Sequence, residues 1–417
     1  MTNDPNHITV FEHETIRFDY GEKKITEEQF KELSRYHGVK GTPFFSLCYN
    51  GVKFNQHVGV IQLGKTVIEV LPKADKLDKT EKIESKWRDI LIGILKAVGA
   101  FEVKSTSSSN LRIRPNSVLD LYFELFVGEV EYLLRRGLVK QYRSNFSNCT
   151  ALKGSLQFSQ HISRNLVHKE HFFIKHTVYD VQHRFNQVIY KTLKLIRQIN
   201  TSSRLKSRIG ALLLFFPEMN DLRVSEQFFQ QVTYNHKTEV YKTSMEIARL
   251  ILLQYHPDLS SGRNHVLALM FDMNLLWERF VLVSLRKNPA FKVEGQRSKQ
   301  FWKPENGYRT TIRPDIVLSN ERNRVVLDTK WKNLDNFKPN PEDLRQMYVY
   351  HDYFNADKVA LVYPSENNQV EEGHYFTKES QKLSNKHCAV LTLSINPNIH
   401  EWQKQINKEI DHWIKND

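Results

Sequence analysis

Only three cysteines occur in 417 residues, and Cys48, Cys149 and Cys388 lie far apart. An odd, isolated set excludes a disulfide framework and a cysteine-based zinc cluster, and points to a reducing compartment. Long apolar runs are missing as well. The most apolar stretch, Ile209 to Phe216, is stopped by Pro217 and falls far short of the ~20 residues a membrane-spanning helix requires. The opening MTNDPNHITVFEHE lacks the basic-then-apolar order of a signal peptide, so a cytoplasmic protein is expected. No internal repeat is visible.

Positive charge is plentiful. Sixty Lys and Arg against 47 Asp and Glu leave a net charge of +13 and a pI near 9.4, which favours a polyanionic partner. The chain is too long for one ordinary core. Its patterning predicts an α+β multidomain protein with a β-rich N-terminal domain (1–110), a mixed helical and β-hairpin central region (111–265) and a C-terminal domain (266–417). Residues 1–80 read as mainly β, because ITVFEHETIRF, PFFSLCYN, GVKFNQHVGVIQLG and TVIEVLP alternate or run apolar between turn residues. Residues 78–87 read as a charged junction before a helix that starts at Arg88, and 105–110 as an exposed loop. A strong helix is expected over 116–137, capped by Asn116 and ended by Gly137, with Arg135 and Arg136 at its negative end. Residues 138–180 return to β character, and helices follow from about 182 to 256.

Two motifs invite misreading. Gly59 to Thr66, GVIQLGKT, spells a phosphate-binding loop, which would make the chain a nucleotide hydrolase using Lys65 and Thr66. Such a loop must run straight into a helix N-terminus. Here strand formers precede the Gly64-Lys65 pair and VIEVLP follows it, so the expected structure is a hairpin turn. The histidines at 161, 168, 171, 176 and 183 have neither helical nor knuckle ligand spacing, and read as part of a basic polar segment.

The chemistry concentrates near the C-terminus. RPDIVLS (313–319) and VVLDTKW (325–331) flank a polar turn and form one β-hairpin. Alternation puts Asp328 and Lys330 on one face and Thr329 on the other, and the hairpin brings Asp315 alongside. Magnesium prefers a few carboxylate oxygens and keeps several waters, so Asp315 and Asp328, with the carbonyl of Thr329, suit it; manganese is the alternative metal. Lys330 would orient the attacking water and offset transition-state charge. Upstream, Asp272 caps a helix containing Glu278, and a short strand begins at 291. Downstream, Asn340 and Pro341 start a second helix, and 357–364 form a strand.

This αβββαβ order, with Pro-Asp and Asp-x-Lys on consecutive strands, resembles the PD-(D/E)xK nuclease superfamily and implies a restriction-endonuclease-like C-terminal domain. In several branches a first-helix glutamate assists the metal and a Gln-x-x-x-Tyr pair on the second helix abuts it; Glu278, Gln346 and Tyr350 occupy those positions. A narrower likeness covers most of the chain. HVGVIQLGKTVIEVLPK (57–73), the 151–193 stretch with its L-x-G-x-L strand, R-N-L turn and N-x-x-[IL] helix, and RPDIVL, LDTKWK and QMYVY together resemble the McrC family. That resemblance implies the nuclease subunit of a GTP-dependent, modification-dependent restriction system. It would dock into an McrB-type AAA+ GTPase ring through its N-terminal and central parts, stimulate GTP hydrolysis, and cut double-stranded DNA. One metal site per chain implies a second copy in the cleavage complex, or one copy acting twice. Arg143, Lys153 and Arg164 are candidate contacts to the ring. A non-catalytic adaptor that only binds DNA or activates the GTPase is the alternative reading.

Overall fold

The computed structural model describes residues 7–415 apart from 22, 39–40, 65, 74–80, 99–117, 201, 257–265, 322, 333, 335–337 and 378–381. Its contacts divide the chain into two units, residues 1–102 with 268–417, and residues 103–267. The sequence reading separates the first and last of its three regions, whereas here they share a core.

The first unit begins with β1 (His7–Phe11), β2 (Thr15–Arg17), α1 (Glu27–His37), β3 (Phe45–Cys48), β4 (Gly51–Phe54), β5 (His57–Leu63), β6 (Thr66–Leu71) and α2 (Glu81–Ala97). Leu63 pairs with Thr66 across the β5–β6 hairpin, and Gly64 takes φ +54°, so the GVIQLGKT stretch is a strand, a turn and a strand. Lys65 itself lies outside the described residues. Gly59 has its own reason: at φ +137° it lies so close to the next strand of the sheet that a Cβ would collide with the carbonyl oxygen of Leu269. Two helical segments of this unit differ from expectation, as does the helix Phe158–Asn165 within the 138–180 stretch read as β. Helix α1 interrupts the β region, started by a capping box in which Thr26 and Gln29 bond reciprocally. Helix α2 starts at Glu81, inside the supposed junction.

The second unit contains α3 (Val118–Arg136), β7 (Gln141–Cys149), β8 (Ser155–Leu156), α4 (Phe158–Asn165), β9 (Phe172–Asp180), α5 (Arg184–Ile199), α6 (Ser203–Phe215), α7 (Glu226–Gln230), α8 (Lys242–Leu253) and β10 (Tyr255–His256). The expected Asn116 cap and the 105–110 loop lie outside the described residues. Helices α3, α5, α6 and α8 pack on one another, and a long β7–β9 ribbon rises from them in a continuous register from Gln141–Asp180 to Cys149–Phe172. Its base is fastened by a buried network. Asn186 donates to the Val139 and Val181 carbonyls at 2.9 and 2.8 Å and accepts from the Tyr241 hydroxyl, which also accepts from the Val139 amide. Satisfied networks of this kind hold a unique geometry. The histidines gather no metal site among the described residues; His183 instead caps α5 by accepting from the Phe185 amide.

The chain then runs through β11 (Val266–Asp272), α9 (Met273–Leu285), β12 (Lys292–Gly295), β13 (Lys299–Trp302), β14 (Thr310–Ile312), β15 (Ile316–Ser319), β16 (Arg324–Thr329), α10 (Pro341–Phe354), β17 (Lys358–Ser365), β18 (Gln369–Phe376), β19 (Leu383–Ser394) and α11 (Ile399–Lys415). Asp272 caps α9 and Asn340 caps α10, as expected. A six-stranded sheet has the order β12-β15-β16-β17-β19-β18. Strands β15 and β16 are antiparallel, whereas β16, β17 and β19 are parallel. The parallel step from β16 to β17 requires a crossover, which α10 supplies. Met347, Tyr350 and Phe354 of α10 pack with Val317, Val326, Val359 and Leu361 on one face of the sheet. Helices α9, α11 and α2 pack together, with Trp277 ring-to-ring with Phe280, Trp331 and Trp402, and Trp331 edge-on to Trp87. Aromatic burial on that scale explains why the N-terminal and C-terminal segments do not part.

Candidate active site

The hairpin register sets the geometry. Ile316 pairs with Leu327 and Val317 with Val326, so one further step places Asp315 across from Asp328. Opposed residues of an antiparallel pair share a face. Asp328 is 1% exposed, a burial that a carboxylate tolerates only with partners. Lys330 Nζ stands 2.7 Å from its Oδ2, an ion pair that supplies the buried oxygen with its charged partner. Burial foremost, and then the neighbouring Asp315 charge, push the Asp328 carboxyl up to about 6. Burial works against the Lys330 ammonium, but Asp328 and Asp315 outweigh it and raise that group.

Thr329 has a part beyond the carbonyl ligand expected of it. Its backbone amide and its hydroxyl both donate to Asp315 Oδ2, at 2.7 and 2.9 Å. The threonine therefore fixes the rotamer of Asp315 and leaves Oδ1 free of hydrogen bonds among the described residues. On α10, Gln346 and Tyr350 share a face as predicted. Gln346 Nε2 donates to the Tyr350 hydroxyl at 2.6 Å and weakly to Asp328 Oδ1 at 3.4 Å, while the Tyr350 hydroxyl donates to the Arg313 carbonyl at 3.0 Å. Burial pushes the Tyr350 hydroxyl up to about 12, so it stays a donor.

Glu278 is near the pair but not bonded into it. Burial and the Asp315 charge raise its carboxyl, and its hydrogen bond goes to Gln296 Nε2 at 2.8 Å. Gln296 is a residue the sequence reading missed. It holds a left-handed φ of +50°, rare for a non-glycine, while its amide donates to the Asp315 carbonyl at 2.9 Å. It thus links Glu278 to the strand carrying Asp315, and no periodicity announces such a conformation. Trp331 is a second omission: directly after Lys330, its indole donates to Glu12 Oε1 at 2.7 Å and its amide to Asn274 at 3.2 Å.

A divalent cation fits this donor set. No three of His, Cys, Asp and Glu gather as a metal site among the described residues, but magnesium needs only one or two carboxylates, with water and phosphate completing its shell. Two carboxylates opposed across the hairpin, one buried and one with an oxygen free of hydrogen bonds among the described residues, are the donor set a hard cation takes.

The family model described as "McrBC 5-methylcytosine restriction system component" matches residues 52–364. Among solved structures, a chain in a half-complex from a tetradecameric assembly of Thermococcus gammatolerans McrB AAA+ hexamers with bound McrC superposes with a TM-score of 0.71 at 18% identity, covering 98% of this chain and 100% of that one. A cryo-EM structure of the Thermococcus gammatolerans McrBC complex aligns with a TM-score of 0.47 at 18% identity over 67% of this chain and 87% of that one. A comparison with curated proteins finds no match.

Proposed function

This chain belongs to the McrBC family of 5-methylcytosine restriction system components, and we propose that it is the McrC-type, DNA-cleaving subunit, a metal-dependent endonuclease. The observation that carries this reading is the placement of Asp315 across from Asp328, with the Lys330 ammonium 2.7 Å from the buried Asp328 oxygen. Asp315 Oδ1 and Asp328 would hold magnesium, with manganese as the alternative. When bound, the metal supplies charge stabilisation to the phosphoryl oxygens and acidifies a water. Thr329 orients Asp315, Gln346 and Tyr350 fix the wall beside Asp328, and Gln296 holds Glu278 at the rim. Lys330 directs the attacking water and carries positive charge where the transition state becomes more negative.

The likeness in fold supports the choice of partner. The matched structure is one of McrB AAA+ hexamers with bound McrC. In this chain the β7–β9 ribbon and α4 leave Tyr142, Phe146, Phe158, Ile162, Leu166 and Tyr179 exposed. This surface is the proposed dock for an McrB-type GTPase ring. Of the basic residues expected there, Arg143 is ion-paired with Asp180 at 2.7 Å, Arg164 lies over the Phe173 ring and Lys153 is exposed. Double-stranded DNA is the substrate, and two scissions call for two copies of this chain or two visits by one.

The test combines the chain with its GTPase partner, GTP, magnesium and DNA. Asp315→Ala is expected to abolish cleavage while assembly and GTPase stimulation persist. Cleavage by that variant at the wild-type rate would overturn the site. GTPase stimulation with no cleavage under any divalent metal would favour the adaptor reading.

A further inference from the structure

Between β12 and Asp315 the chain leaves the six-stranded sheet to form the separate β13–β14 ribbon. Lys299 pairs with Ile312 and Gln300 with Thr311, and an irregularity at Phe301 then lets Trp302 pair with Thr310. Bulges re-aim side chains. Here Phe301 packs against the Tyr353 ring at 5.2 Å, and Lys299 donates to the Tyr353 carbonyl with its ammonium 5.1 Å from the Phe354 ring. One side of the ribbon is therefore fastened to the end of α10, the helix whose Gln346 and Tyr350 line the metal site.

Two other rings of this segment lie in water: Trp302, at the end of β13, is 60% exposed, and Tyr308, in the loop before β14, is 97% exposed. Neither contributes to a core, so the ribbon's own stability does not account for two large rings in water. Beside them Lys303 and Arg309 are exposed, with no acidic partner among the described residues. From residue 296 to 314 the sequence has five basic residues, Arg297, Lys299, Lys303, Arg309 and Arg313, and one acid, Glu305. The second strand then runs without a loop toward the site: Arg313 contributes the carbonyl that Tyr350 grips, and Asp315 follows.

We propose that the β13–β14 ribbon is a DNA-gripping arm, in which Trp302 and Tyr308 wedge against bases that partly unstack beside the cleaved step while Lys303 and Arg309 neutralise neighbouring phosphates. This rests on the nuclease reading above and adds how the substrate is held. Aromatic faces next to unpaired cations are the chemistry of nucleic-acid contact; a protein dock would present an apolar centre with its charges paired. Stacking is tolerant of sequence because every base has a π-face, so the arm fixes the position of the phosphate and leaves the choice of site to other surfaces.

The experiment measures binding of a fluorescently labelled 30-base-pair duplex to the full chain, alone and assembled with its GTPase partner, by anisotropy in metal-free buffer. Trp302→Ala with Tyr308→Ala is expected to weaken binding by about 10-fold or more, with assembly and GTPase stimulation unchanged. Trp302→Phe with Tyr308→Phe should retain most of the affinity, a rescue that a merely structural role would not explain. Lys303→Ala with Arg309→Ala should lower the slope of log affinity against log salt by about 2. Wild-type duplex affinity in the double alanine variant overturns the arm, as does lost ring assembly with duplex binding intact. Because the readout uses no metal, failure of the wild-type protein to cut DNA would count against the nuclease reading and leave the arm judged on binding alone.

Discussion

Trp331 and Glu12, 319 residues apart in sequence, are joined by a 2.7 Å hydrogen bond from the indole Nε1 to Oε1, and the Lys73 amide donates to the same oxygen at 2.8 Å. Oε2 is buried with no hydrogen-bond partner. Burial foremost raises the carboxyl to about 7, with the Asp272 charge adding to it. Since the unfolded value is near 4.5, the folded state holds the proton more tightly. The resulting stability is complete below about pH 4.5 and is lost as pH rises through 7. Glu12→Gln keeps the acceptor and removes the charge. Melting curves from pH 5 to 8 should show the variant gaining on the wild type as pH rises, by up to about 3 kcal/mol. Parallel curves would mean that Glu12 is ionised throughout.

At the proposed metal site, Asp328 would set the acid limb of binding. A cation competes with the proton for its carboxylate, so apparent magnesium or manganese affinity should rise with pH up to about 6 and level off above it. The Lys330 ammonium lowers that carboxyl, so Lys330→Met should move the limb to higher pH, and calorimetry on the variant reads this without cleavage. An unmoved limb would detach the lysine from the carboxylate. Cleavage by Lys330→Met should fall by about 100-fold or more, as loss of a charge aimed at the transition state predicts.

Thr329 offers a graded test of how Asp315 is held. Thr329→Val removes the hydroxyl bond to Oδ2 but keeps the backbone amide bond. Cleavage should fall several-fold, well short of the loss in Asp315→Ala, with the melting temperature lowered by the equivalent of about 1 kcal/mol. An unchanged rate would show that the backbone bond alone positions the carboxylate.

What was legible in the sequence is what short-range patterning encodes. Alternation in VVLDTK and the polar turn before it specify the β15–β16 hairpin, and its register alone brings Asp315 to Asp328. Asn340 and Pro341 mark the start of α10, which puts Gln346 and Tyr350 one turn apart. Helix α1 was also within reach, since Thr26-x-x-Gln29 spells a capping box, but the flanking strands drew the reading toward β. Other features depend on distance. Nothing local pairs Trp331 with Glu12, or sets Trp87 edge-on to Trp331, so the N-terminal strands read as a separate domain. The β13–β14 ribbon was hidden because KQFW and TTI are short and straddle a turn-rich loop. Gln296 escaped because glutamine has no special preference for the left-handed region it occupies; its conformation is imposed by the Asp315 carbonyl and Glu278 together.

That imposed conformation makes Gln296 the sharpest probe of the rim. Its amide side chain is the hydrogen-bond partner of Glu278, and its backbone continues the pairing of β12 with the strand leading from Asp315. Gln296→Ala removes only the former. Freed of that bond, the Glu278 carboxylate can swing, and its carboxyl rises further, since the Gln296 bond is one of the influences holding it down. Cleavage near neutral pH should drop by about 10-fold and recover in part as pH rises. Gln296→Gly instead relieves the left-handed backbone while losing the same side-chain bond. If the bond to Glu278 matters, the glycine variant should be as impaired in cleavage as the alanine variant yet melt higher by about 1 kcal/mol, because only alanine must still pay for the positive φ. Full activity in both would remove Glu278 from the site and leave Asp315, Asp328 and Lys330 to carry it.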